Sequence, residues 1–156
     1  MDTASLSTRP LKPCAHFPAG EHFLRTPVKK YHPYTVVHVH YSLGDYDKQV
    51  KETMTILGDS TGPALLMGDL NLVDPEDGLA PIRTEFIDTC EAVDTRGSRE
   101  TKQRGTFRFR SKRIDYIFVD PDYFTVLDVG LTPEEHREPS DHLAYFACVT
   151  VKNRTK

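Results

Sequence analysis

The run Arg113-Ile114-Asp115-Tyr116-Ile117-Phe118-Val119 places a carboxylate inside a stretch that otherwise asks for burial. An ionised side chain in an apolar strand is costly unless it is paired or hydrogen-bonded. The fold must therefore bring a donor to Asp115, and His142, in the dipeptide Asp141-His142, is the natural candidate. An Asp–His pair fixes the imidazole tautomer and favours its cationic form. A cationic imidazole is in turn a good neighbour for a phosphate.

Other polar groups gather just past strand ends. Thr35-Val36-Val37-His38-Val39-His40 is β-branched and apolar, so it reads as a strand closing on His40. Residues 46–57 follow as a helix, with Val50, Met54 and Leu57 on one face and Gly58 at its stop. Ala64 to Met67 is a short, fully apolar strand running into Gly68-Asp69, with Asn71 two residues on. Strand, helix, strand in this order implies a βαβ-like unit and a mostly buried sheet. A further helix is expected over Arg83 to Val93. Strands are expected at 106–110, 114–119, 124–129 and 143–151, as an antiparallel set. Residues 1–34 hold five prolines and read as an irregular, Pro-rich lead-in, leaving 35–156 as the domain.

At 156 residues one domain is the default, and 8 Phe with 7 Tyr supply enough apolar surface for a core. No apolar run approaches the roughly 20 residues of a membrane span, and the first residues lack the apolar stretch of a secretory signal. Cys14, Cys90 and Cys148 are odd in number and widely spaced, which fits reduced thiols in an intracellular protein. The compartment within the cell is left open.

The formal charge of -3 hides an asymmetry. Arg96 to Arg113 carries eight bases against one acid, in a chain that is otherwise acidic. Such a block suggests an anionic ligand. Phe107 and Phe109 alternate with Arg108 and Arg110, as on a strand with one apolar and one cationic face. A solvated strand face explains the same pattern. Taken singly, Asp69 and Asn71 also read as a simple turn. His38 and His40 share a strand face, but the residues that follow do not complete a zinc site.

Together the motifs become specific. Gly68-Asp69-Leu70-Asn71, Arg113-Ile114-Asp115-Tyr116, and Pro139-Ser140-Asp141-His142-Leu143 occur in that order. The set resembles the GD-x-N, R-x-D-Y and S-D-H motifs of the endonuclease/exonuclease/phosphatase superfamily. Val37-His38-Val39-His40-Tyr41 is similar to its N-x-H-L strand end, with His38 where the family has Asn. Gly105-Thr106-Phe107 resembles the step before R-x-D-Y. The Ser-Asp-His ending is similar to the deadenylase branch and to tyrosyl-DNA phosphodiesterases, and Asn71 to Glu76 to the latter. The family's early Asn and metal-binding Glu have no counterpart within residues 1–34.

The resemblance implies the C-terminal portion of a DNase I-like four-layer α/β sandwich, with a mixed, largely antiparallel sheet and flanking helices. It implies a phosphodiesterase dependent on Mg²⁺ or Mn²⁺, acting on nucleic acid. Asp69, Asn71 and Asp141 would be metal ligands, and oxygen donors suit a hard cation. Asp69 and Asn71 would also position the attacking water. His142, oriented by Asp115, would stabilise phosphate charge, and His40 would contact the phosphate or assist the leaving group. Arg104, Arg108, Arg110 and Arg113 would meet substrate phosphates. A partner chain or self-association would stand in for the absent half. The alternative is a catalytically degenerate module that binds nucleic acid or serves as a structural subunit.

Overall fold

The computed structural model describes residues 34–60, 62–73, 77–132 and 140–152. Nearly all of the expected lead-in, with Cys14, lies outside them, as do Asp74 to Glu76 and Pro139. The described residues form a mixed α/β structure with a four-stranded sheet and a two-stranded sheet.

The first strand, β1 (Thr35–His40), leads through helix α1 (Tyr46–Gly58) to β2 (Ala64–Asp69). The strands β1 and β2 are parallel, as a strand–helix–strand unit requires. After a 3-10 turn (Asp77–Leu79) and a short helix α2 (Ala80–Glu85) comes the two-residue strand β3 (Ile87–Asp88). Helix α3 (Arg96–Arg104) precedes β4 (Asp115–Val119), which pairs antiparallel with both β2 and β3. The strands β5 (Phe124–Leu131) and β6 (Tyr145–Val151) form the second, antiparallel sheet.

Alternation along the strands gives the larger sheet two buried faces. Val37, Val39, Leu66, Tyr116 and Phe118 pack beneath α1 and α2, with Val50, Leu57 and Ile82. Leu65 and Val119 face the other way, against Phe124, Val126 and Val149 of the second sheet. Fully burying a side chain such as Leu66 or Phe118 contributes about 1.5–3 kcal/mol. The sheet thus depends on cover from both sides.

Three local expectations are corrected. The helix expected over 83–93 stops at Glu85. Ile87 and Asp88 instead pair with Val119 and Phe118, because Asp88 must reach the buried guanidinium of Arg113, two residues before β4. The expected strand 106–110 is a tight turn, closed by single bridges from Phe107 to Lys112 and to His142. Phe109, read as part of an apolar face, is 76% exposed at its tip. The first half of the basic block is the helix α3, opened by a capping box between Thr95 and Ser98.

Two glycines set close backbone approaches. A Cβ on Gly97 would lie 1.8 Å from the Val129 carbonyl oxygen, so α3 rests directly on β5. Gly68 has φ 140, and a Cβ there would lie 1.8 Å from the Val39 carbonyl oxygen. Gly68→Ala must therefore part β1 from β2 one residue before Asp69. A loss of at least about 2 kcal/mol is expected, measured as a lowered urea midpoint.

Candidate active site

Register alone gathers the first three groups. His40 pairs with Asp69 across β1 and β2, and Asp69 pairs with Asp115 across β2 and β4. Residues directly opposite one another share a face. This is the same face that, two rows along, carries Val36, Leu65 and Val119. The apolar pattern that packs those three residues against the second sheet thus delivers His40, Asp69 and Asp115 in a row at the sheet's end. His38 stands one row inward, beside Met67 and Ile117, as a strand residue.

The fourth group arrives from the segment before β6. His142 is bridged to Phe107, and its ring meets the Phe107 ring edge-on at 5.5 Å. The Ser140 hydroxyl oxygen accepts the His142 N–H at 3.0 Å and shapes the turn that presents the imidazole. His142 Nδ1 lies 2.8 Å from Asp115 Oδ2. The donor required by the half-buried carboxylate is therefore the one expected from sequence. His142 Nε2 lies 3.8 Å from Asp69 Oδ2, and the His40 Nε2 lies 3.7 Å from the same oxygen.

Asp69 is held from below. Its Oδ1 accepts the Asn71 backbone N–H at 2.8 Å, in a turn where Asn71 adopts φ 51. That leaves Oδ2 facing the two histidines. Asn71 Nδ2 donates to the Tyr41 carbonyl at 2.7 Å, tying the β2 end to the β1 end. Burial raises the pKa of Asp69, the Asn71 N–H opposes this, and the Asp115 charge adds to it. For His142 burial acts to lower the pKa, but the hydrogen bond and charge of Asp115, with Asp69 and Asp141, leave it raised.

Asp69, Asp115 and His142 each offer a ligand atom, all within 4.8 Å of one another. Two carboxylates and an imidazole are a donor set that fits a divalent cation. This group differs from the ligand set expected from sequence. Asp69 belongs to both, whereas Asn71 is engaged through its amide nitrogen and Asp141 is exposed on the turn.

The four expected phosphate contacts separate. Arg113 is 6% exposed and grips Asp88 with both nitrogens, at 2.9 and 2.5 Å, with its guanidinium carbon 4.4 Å from the Tyr116 ring centroid. It belongs to the core, which corrects its expected role: an apolar strand end could hold that cation only against a buried acid. Arg104 pairs with Glu100 on α3. Arg108 donates from Nη1 to the Ser140 carbonyl at 2.8 Å, bracing the His142 turn. Arg110 is exposed on the same turn as Phe109. Lys112, also exposed there, counts in the basic block and Ser140 in the Ser-Asp-His motif, but neither has a role of its own from sequence.

Two outcomes follow from these contacts. Arg113→Met leaves the buried Asp88 charge with the Cys90 backbone N–H at 3.0 Å and the longer 3.5 Å contact to Arg83, so a loss of about 3 kcal/mol is expected, read by chemical denaturation. The raised pKa of His142 means that its contribution to stability is full below the ordinary value of 6.5. It is lost as pH rises through the higher folded value. Asp115→Asn should flatten that decline in a plot of unfolding free energy against pH.

Comparison with known proteins gives the family and the fold. The Endonuclease/Exonuclease/phosphatase family profile matches residues 5–142, beginning inside the stretch read from sequence as a lead-in. A functionally unknown conserved protein from Enterococcus faecalis V583 shares the fold, with TM-score 0.67 and 24% identity, over 80% of this chain and 52% of its own. An endonuclease/exonuclease/phosphatase from Beutenbergia cavernae DSM 12333 gives TM-score 0.62 and 21% identity, over 83% of this chain and 38% of its own. A humanised D. rerio TDP2 gives 0.58 and 16%, over 76% and 55%. The chain thus spans about half or less of the length of these structures. No curated protein sequence matches it. The family profile covers most of the chain and ends on His142, the residue that completes the polar row: the chain belongs to the Endonuclease/Exonuclease/phosphatase family.

Proposed function

We propose that this chain is a divalent-metal-dependent phosphodiesterase acting on nucleic acid. The observation that carries the reading is the Asp115–His142 pair at 2.8 Å, facing Asp69 across the end of the sheet. A cationic imidazole beside an oriented carboxylate is what phosphoester hydrolysis needs, because that reaction is mainly positioning and charge stabilisation.

Asp69 would hold the metal, with the Asn71 side-chain oxygen beside it and Asp141 at the rim. When bound, Mg²⁺ or Mn²⁺ neutralises phosphate charge and lowers the pKa of a bound water. Asp69 then orients the attacking water, while His142, kept cationic by Asp115, donates from Nε2 to a phosphate oxygen. His40 is 66% exposed and reaches the same space from β1, suited to the leaving-group side. Of the two carboxylates grouped with His142, Asp115 is spent on the imidazole and Asp69 is the one left to a metal. The reading therefore includes a partner chain or a second copy as a source of further ligands.

The preference for nucleic acid rests on the turn beside His142. It presents Arg108, Arg110 and Lys112 around the exposed ring of Phe109. Cations tracking phosphates and an aromatic face for a base together suit a single strand. The basic block as a whole is less free than its composition suggests, since Arg99, Lys102 and Arg104 pair with Asp94, Glu91 and Glu100.

Cleavage of a single-stranded oligonucleotide with Mg²⁺ or Mn²⁺ is the test. Asp69→Ala and His142→Ala should each lower kcat/KM by at least about 100-fold while leaving oligonucleotide binding largely intact. A wild-type chain that binds the oligonucleotide without cleaving it would favour the binding-module reading instead.

A further inference from the structure

Thr106 is fully buried, and each of its polar groups meets a different segment. Its hydroxyl oxygen accepts the backbone N–H groups of Ile114 and Asp115, both at 3.1 Å. Its own N–H donates to the Lys112 carbonyl at 3.0 Å, and its carbonyl accepts the Leu143 N–H at 2.7 Å. One residue thus joins the start of β4, the close of the basic turn and the residue after His142.

These are the segments whose spacing sets the Asp115–His142 contact. Strand pairing takes hold on β4 at Asp115 itself, against Asp69, and a side-chain oxygen accepts the N–H groups at the strand's entry. Without that oxygen the buried Ile114 N–H and the part-buried Asp115 N–H both lose their acceptor. Relief requires residues 114 and 115 to shift away from residue 106, between Arg113 held on Asp88 and Tyr116 held in the core, which moves the Asp115 carboxylate out of line with the imidazole. We propose that Thr106 is a positioning residue for the Asp115–His142 pair, acting through its hydroxyl on β4 and through its carbonyl on the His142 segment. Gly105 permits the arrangement: at φ 69, a Cβ there would meet the Lys112 backbone at 2.5–2.6 Å.

The kinetic arm of the test rests on the phosphodiesterase reading, and the spectroscopic arm does not. Thr106→Ser keeps the oxygen, whereas Thr106→Val and Thr106→Ala remove it. Imidazole ¹⁵N shifts of His142, recorded at one fixed pH, report whether Nδ1–H is held by Asp115. The serine variant should match wild type in those shifts and stay within about threefold in kcat. The valine and alanine variants should lose the Nδ1–H signature. Their kcat should fall by about 100-fold, the scale of a 1 Å misplacement, with KM changed less than about threefold because Arg110 and Lys112 are untouched. Retention of the signature in the valine or alanine variant, or its loss in the serine variant, overturns the proposal. So does failure of both hydroxyl-free variants to fold, which would make Thr106 a folding residue. A wild-type chain without hydrolysis overturns the reaction reading alone, and the ring shifts still decide the role of Thr106.

Discussion

A half-buried carboxylate on a strand must be answered, and the answer to Asp115 organises the end of the sheet. Asp115 precedes Tyr116 and Phe118, whose rings stack at 5.7 Å in the core. It cannot turn to water without pulling that pair along. His142 meets it at 2.8 Å. To bring the imidazole there, the chain zips residues 106–108 onto 141–143 through the Arg108–Asp141 and Leu143–Thr106 backbone bonds. The polar end of the sheet is thus the means by which an awkward strand is made tolerable, and the same contact leaves the other imidazole nitrogen facing Asp69.

A second carboxylate is buried by the same logic with a different result. Asp88 is 4% exposed, and Arg113 closes on it from the residue two before Asp115. Neighbouring positions on one segment thus divide the work. The guanidinium points into the core to anchor β3 against β4, and the carboxylate points out along the polar row. A chain read only for charge counts Arg113 with the surface cations, whereas its partner removes it from them.

The legible parts of the sequence were those in which one period dominated. The strands β1 and β2 with the helix between them follow from β-branched runs and helical spacing, and their parallel pairing from their order. The motif residues Asp69, Asp115 and His142 converge as their chemistry required. The failures share a cause. Around Ile87 and Asp88 an apolar rhythm suggested a helix, but the need to neutralise Asp88 on Arg113 drew the chain into a strand. Around Phe107 and Phe109 alternation suggested a strand, but Ser111 at φ 48 and the pull of His142 made a turn. Long-range pairing decided both, and no local window contains it. The capping box at Thr95 was a local signal, masked by the density of charge that follows it.

Helix α3 meets β5 backbone to backbone at Gly97, with no side chain between them. Such a joint has no cushion, so the helix cannot slide or tilt without disturbing the strand beneath it. The charged outer surface of α3 therefore behaves as a fixed electrode rather than a swinging arm. Whatever potential it casts around the end of the sheet is set when the chain folds and does not wait for a ligand to arrange it.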